Sequence, residues 1–295
     1  MRNLTLALAT AAGLTLTAGA CGTTPKPTGE TPPVEAPKAP AGEPLVLPPA
    51  PLKGIEEHFT DWATALPLPA ISADGEVVAV SAADDDGARG NANMAIELRR
   101  VKDDLVIETL PILGPEEVEQ VLAESSGGGD EAAVIDAQLG PVVAQRVQEA
   151  NAALAKRRWI PVTEMLVGKE PGEDTVPDDE LPFARGPFED AERGLVVTWK
   201  EPRFAVTQRG KALVAADRPG WVAPIEHMCG EEEMQEMTPE EIASDCTCSN
   251  PAYLDDARLS PEHGALLVKV AYYGTDTCWE PDSVWHVVAL PGFTK

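Results

Sequence analysis

Ser260-Pro-Glu-His-Gly-Ala-Leu-Leu-Val-Lys-Val-Ala-Tyr-Tyr-Gly274, continued by Thr275-Asp-Thr-Cys-Trp-Glu-Pro-Asp-Ser-Val-Trp-His-Val-Val-Ala-Leu290, is the densest β-type stretch of the chain. Its β-branched and aromatic residues predict two strands, Ala265–Tyr273 and Ser283–Leu290, joined by a loop that holds Cys278. In the first strand Leu267, Lys269 and Ala271 alternate with Leu266, Val268 and Val270; the second carries Val284, Trp285, Val287, Val288 and Leu290. Weaker stretches of the same kind lie at Ile71–Leu110 and Phe204–Ala215, with further short strands expected at Trp159–Val167 and Leu195–Trp199.

Between them the pattern changes to helical. Gly114-Pro115-Glu116-Glu117 has the proline and acids of a helix start. Val143, Val147, Ala150 and Leu154 form a stripe at helical spacing, in a piece expected to restart after a break at Gly140-Pro141. Lys156-Arg157-Arg158 is read as the charged close of that helix. The expected fold is therefore α+β: an antiparallel, β-rich domain over 54–295 with a helical insertion at about 114–158 and a disulfide-stapled C-terminal part at about 195–295.

Three strand turns repeat a theme: Ile71-Ser-Ala-Asp-Gly75 before Val77, Val206-Thr-Gln-Arg-Gly210 before Leu213, and Leu259-Ser-Pro-Glu-His-Gly264 before Leu267. This is similar to the Ser-x-Asp-Gly strand connection of β-propeller blades, which implies a degenerate β-propeller as the alternative fold. The intervals of 135 and 53 residues are not a steady blade period.

The N-terminus is of a different kind. Met1-Arg2-Asn3 starts positive, Leu4–Leu16 is an apolar run too short to span a bilayer, and Thr17-Ala18-Gly19-Ala20 leads into Cys21. Small residues immediately before a cysteine resemble the lipobox of bacterial lipoproteins, although Ala18 stands where that family usually has leucine. The resemblance implies a signal peptide at 1–20, lipidation of Cys21, export and anchoring in the cell envelope. Gly22 in place of aspartate implies the outer membrane, on its periplasmic or surface face. Several acyl chains on one residue would make the membrane a lasting partner. Residues 21–53 follow as a tether: Gly22–Lys53 holds ten prolines. As a polyproline-like spacer it would reach up to about 90 Å.

Charge limits the partners. There are 23 Lys+Arg against 49 Asp+Glu, net −26. Loss of residues 1–20, which hold one arginine and no acid, leaves 22 against 49, net −27. Such a surface repels nucleic acid and favours cations and basic partners.

Beyond Cys21 there are four cysteines, Cys229, Cys246, Cys248 and Cys278. An even number in an exported chain predicts disulfides. A bridge between Cys246 and Cys248 would be strained, so each is expected to pair with Cys229 or Cys278, in either order. Zinc held by His227, Cys229, Cys246 and Cys248 is the alternative, though its spacing is not that of the usual knuckles.

Other chemistry is sparse. No cofactor is expected, with calcium as the alternative: Asp84, Asp86, Asn91 and Asn93 are hard oxygen donors in a Gly-containing loop. Asp276, Glu280 and Asp282 raise the same question in the last loop. No nucleophile elbow, His-Glu-x-x-His, P-loop or dinucleotide fingerprint occurs, so no catalytic residue is assigned. The four histidines, His58, His227, His263 and His286, are scattered. With His286 beside Trp285 in a strand, one is expected in the core and the other in solvent, and no partner for His286 as a general base can be named. Six tryptophans against three tyrosines suggest core packing or an aromatic platform for a glycan or peptide, with Trp279 and Trp285 as candidates. The functional expectation is an exported, lipid-anchored, non-catalytic binding or structural module of the bacterial envelope, with an envelope protein or glycan as partner. A hydrolase with an unrecognised carboxylate pair and a calcium-dependent adhesion or sensor module are the alternatives.

Overall fold

The structure is a computed structural model, and it describes residues 42–51, 53–83, 92–124, 130–168, 187–223, 226–227, 229, 237–239, 241–242, 246–248, 250–272 and 283–295. Helix α1 (Ile55–Thr64) leads into the strands β1 (Ala70–Ser72), β2 (Val77–Ala82), β3 (Met94–Arg100) and β4 (Leu105–Leu113). Helices α2 (Pro115–Glu124) and α3 (Glu131–Leu154) follow, then three very short strands, β5 (Trp159–Pro161), β6 (Glu164–Met165) and β7 (Val167–Gly168). A second meander comprises β8 (Phe188–Asp190), β9 (Leu195–Lys200), β10 (Arg203–Gln208) and β11 (Lys211–Asp217), closed by a 3-10 turn at Pro219–Trp221. The ribbon β12 (Glu226–His227) with β13 (Thr247–Cys248) precedes β14 (Ala252–Ser260), β15 (Ala265–Tyr272) and β16 (Val284–Ala289).

Among the described residues all pairings are antiparallel, and the strands form three larger sheets. The first has the order β4-β3-β2-β1-β5, the second β11-β10-β9-β8-β7, the third β16-β15-β14-β6. Their faces stack in layers. Helix α3 covers one face of the first sheet with Ile135, Leu139, Val143, Val147 and Leu154, against Val77, Ala79, Ile96 and Ile112, and Ile55 and Phe59 of α1 and Val118 and Val121 of α2 complete the same core. The other face of that sheet, with Ile71, Val78 and Val80, meets Ala265, Leu267, Trp285 and Val287 of the third. The third sheet turns Leu266, Val268, Val270 and Val288 to Leu195, Val197, Phe204 and Val206 of the second. It is thus central and buried on both sides, which is why Ala265–Val268 is a continuous apolar run instead of an alternating one.

The fold is α+β with an antiparallel, β-rich body, and the helical insertion sits where the helical pattern put it. The propeller alternative is corrected: among the described residues the sheets stack face to face and do not close into a ring. The repeated turns are nevertheless real, one hairpin in each sheet, between β1 and β2, β10 and β11, and β14 and β15. Two of them touch. Gly75, at φ 75°, lies so close to His263 that a Cβ there would come within 2.6 Å of its ring.

Two expectations about elements change. Pro141 does not break α3, which runs unbroken for 24 residues. The proline ring lies on the exposed face, while Gly140 beside it is buried. The folded body also starts before residue 54. Leu45, Leu47 and Ala50 are buried in the helix-side core, Glu43 bridges to Trp159, and the Leu47 backbone exchanges hydrogen bonds of 2.7 and 3.1 Å with the Asn151 amide. Composition hides this, because prolines between alternating apolar residues are compatible with an extended, packed segment.

Trp159–Gly168 is the stitch of the molecule. In ten residues it contributes an edge strand to each sheet: β5 to β1, β6 to β14, β7 to β8. No helix among the described residues is long and apolar enough to cross a membrane.

Candidate functional site

Among the described residues two places that carry chemistry lie at opposite edges of the central sheet. At the β6 edge, the stitch and the turn between β8 and β9 enclose an open cleft of about 250 Å3. Glu164, Met165, Leu166 and Val167 line one side and Glu189, Asp190, Ala191, Glu192 and Arg193 the other. Leu166 points into the core, so by strand alternation its neighbours point out: Met165 and Val167 are 62% and 72% exposed. Four carboxylates thus face one guanidinium, and that guanidinium is already engaged. Arg193 Nη1 donates to Glu164 and, at 2.5 Å, to Asp190 Oδ2. Burial pushes the Asp190 carboxyl up, but the Arg193 side chain and backbone N–H outweigh it and hold the carboxyl below the usual carboxylate range.

At the β16 edge lies the Asp104–His286 pair. The turn Val101–Asp104 between β3 and β4 places Asp104 at φ 59°, a conformation aspartate tolerates better than most residues. Its Oδ2 is 2.6 Å from His286 Nδ1, and its Oδ1 accepts from the Val287 backbone N–H at 2.9 Å and from Arg99 Nη1 at 3.1 Å. Arg99 is in turn held by Glu97 at 2.8 Å. The imidazole stacks on Trp221, with centroids 4.3 Å apart and planes 22° apart, while Arg218 lies 5.4 Å from the centre of the same indole. His286 Nε2 is buried with no hydrogen-bond partner. The seam therefore joins all three sheets: Asp104 from the first, His286 from the central one, Trp221 from the turn after β11.

Burial works against ionisation of Asp104, yet its hydrogen bond to His286, the Val287 N–H and Arg99 together keep the carboxyl below its ordinary range. Burial also lowers His286, and this exceeds the upward pull of Asp104. The pair is an ionised aspartate accepting from a neutral imidazole, with the lone pair on Nε2.

The residues singled out in the sequence are dispersed. Cys21, Asp84, Asp86, Asn91, Trp279, Cys278 and the acids of the last loop, Asp276, Glu280 and Asp282, lie outside the described residues. Asn93 is half-buried just before β3. Trp285 is buried between the first and central sheets, with the Arg258 guanidinium 5.4 Å from its ring centre. The expectation that one of Trp285 and His286 faces solvent is corrected: both are buried, because both faces of the central sheet are covered. Cys229 and Cys246 are bonded, with Cα atoms 5.1 Å apart, across the ribbon of β12 and β13. That bond removes two of the four donors of the zinc alternative. The helical turn that delivers Cys246 starts with a reciprocal cap, Thr238 N–H to Glu241 at 2.8 Å and Glu241 N–H to Thr238 Oγ1 at 3.3 Å. Among the described residues no group of three or more His, Cys, Asp or Glu is placed to hold a metal ion.

The sequence reading missed the Asp104–His286 pair, whose members are 182 residues apart. The available signal was the Asp103-Asp104 turn and a histidine inside an apolar strand, but only the sheet stacking joins them. Comparison with protein-family models, with curated proteins and with solved structures found no match.

Proposed function

We propose that this chain is an exported, lipid-anchored, non-catalytic binding module of a bacterial envelope, held by Cys21 and the proline-rich stretch after it, which receives a basic partner at the β6 edge. The observation that carries the reading is the cleft between Glu164–Val167 and Glu189–Arg193: a carboxylate excess beside two exposed apolar side chains, Met165 and Val167. Lysine- or arginine-bearing extended peptide suits both features, its cations meeting the acids and its apolar residues covering the lip. The net charge of −26 adds long-range attraction for the same class of partner.

The test has two arms. Titration of the full chain with a peptide of alternating lysine and valine, at low and at physiological salt, should show binding that weakens with salt. Glu192→Lys combined with Glu189→Lys should abolish it. Absence of binding, or binding indifferent to both substitutions, removes the cleft from the reading. For the anchor, wild-type protein expressed in a bacterial host should partition into the detergent phase and Cys21→Ser into the aqueous phase; identical partitioning removes the lipid.

A further inference from the structure

The β16 edge has a feature that the cleft reading does not use. His286 is 8% exposed, its Nδ1–H is committed to Asp104, and its Nε2 has no partner. Among the described residues the charged groups that face it are few. From β3 and the turn after it come Asp104 and Arg99, with Glu97 bound to Arg99. From the turn after β11 comes Arg218, 5.4 Å from the centre of the Trp221 ring. From β15 the residue opposite is Val268, which carries no charge. With a neutral imidazole, the carboxylates of Glu97 and Asp104 offset the guanidiniums of Arg99 and Arg218. A proton added at Nε2 leaves one surplus positive charge in a buried place and creates an N–H with no acceptor there. Among the described residues the face of Trp221 is what cushions it. The strain is relieved when the seam opens and water reaches Nε2.

We propose that Asp104, His286 and Trp221 form an acid-released latch: proton uptake at His286 Nε2 frees the Val101–Asp104 turn and the outer edge of β16 while the stacked sheets stay folded. Few hydrogen bonds have to break, and they converge on one group. Asp104 holds the imidazole and the Val287 N–H with one carboxylate, so its departure opens both at once. Most of the apolar packing between sheets lies elsewhere, in Ile71, Val78, Val80 and Leu267 on one side and Leu266, Val268, Phe204 and Val206 on the other, while Val101 of the turn and Trp285 and Val287 of β16 share the first of these layers.

Hydrogen exchange on the full chain, followed by NMR and corrected for intrinsic exchange, reads the latch directly. Protection of the Val287 amide should fall about tenfold or more between about pH 7 and about pH 5, since each pH unit raises a histidine's charged-to-neutral ratio about tenfold. Near-UV circular dichroism should change with it, as Trp221 loses its stacked partner, while far-UV circular dichroism stays constant. His286→Gln should make the Val287 protection independent of pH over this range. Constant protection in the wild type, a pH response that survives His286→Gln, or parallel loss of far-UV signal would each overturn the latch. If the variant does not fold, the wild type still decides: the His286 imidazole signal and the Val287 protection must share one midpoint, and separate midpoints overturn it.

Discussion

At the scale of single residues, Asp104 is where removal costs most. Its two oxygens satisfy a backbone N–H, an imidazole N–H and a guanidinium at once. Asp104→Ala leaves those donors buried without an acceptor and should lower the unfolding free energy by about 2–4 kcal/mol in urea titration near neutral pH. The same residues set the acid response. His286 has a folded value below its ordinary 6.5, so the unfolded chain binds the proton more tightly. Stability is therefore full above about 6.5 and falls as pH drops below it. Asp104, lowered from 3.8, adds stability that is present above that value and is lost as pH falls through its lower folded one. Melting temperature should decline in two stages on acidification, with the upper stage absent from His286→Gln. Gly75 is a second sensitive position. It needs a left-handed backbone and sits against His263, so Gly75→Ala should destabilise by about 1 kcal/mol or more.

At the scale of elements, α3 joins good packing to a local cost. Its buried stripe, Ile135, Leu139, Val143, Val147, Ala150 and Leu154, covers the first sheet. Leu154 is fully buried, and Leu154→Ala should cost about 2–5 kcal/mol. Pro141 lies on the exposed face in mid-helix and cannot donate to the carbonyl one turn back. Replacing it by alanine should stabilise the protein by about 1–3 kcal/mol, measured by chemical denaturation. The Cys229–Cys246 bond closes a sequence separation of 17. A Cys229→Ser and Cys246→Ser double variant should lose about 3 kcal/mol on the chain-entropy account.

At the scale of the whole molecule, the central sheet has no face of its own. One side is completed by the first sheet and the other by the second, and the stitch Trp159–Gly168 pairs with all three. Neither outer layer can leave without exposing part of the central one. Thermal unfolding followed by far-UV circular dichroism and by tryptophan fluorescence should therefore give one coincident transition. Two separated transitions would show that the layers fold independently.

The amino-acid sequence by itself determined what depends on neighbours along the chain. Ala265–Tyr272 and Val284–Ala289 are strands where β-branched residues crowd, and α3 carries its stripe at Val143, Val147, Ala150 and Leu154 as the spacing requires. The three Gly-containing turns are hairpins because positive φ is a local demand, met at Gly75, Gly210 and Gly264. Tertiary structure alone decided what depends on stacking. Leu45 and Leu47 look like part of a tether until the helix-side core buries them. Trp285 and His286 point to opposite faces, and only the layers on both sides make both faces interior. Glu164 and Arg193, like Asp104 and His286, come from separate elements, and no spacing in a sequence encodes which sheet faces which. Local patterns fix strands and turns because they act over a few residues; the cleft and the buried seam arise from apolar faces that can be satisfied only by other sheets, far away along the chain.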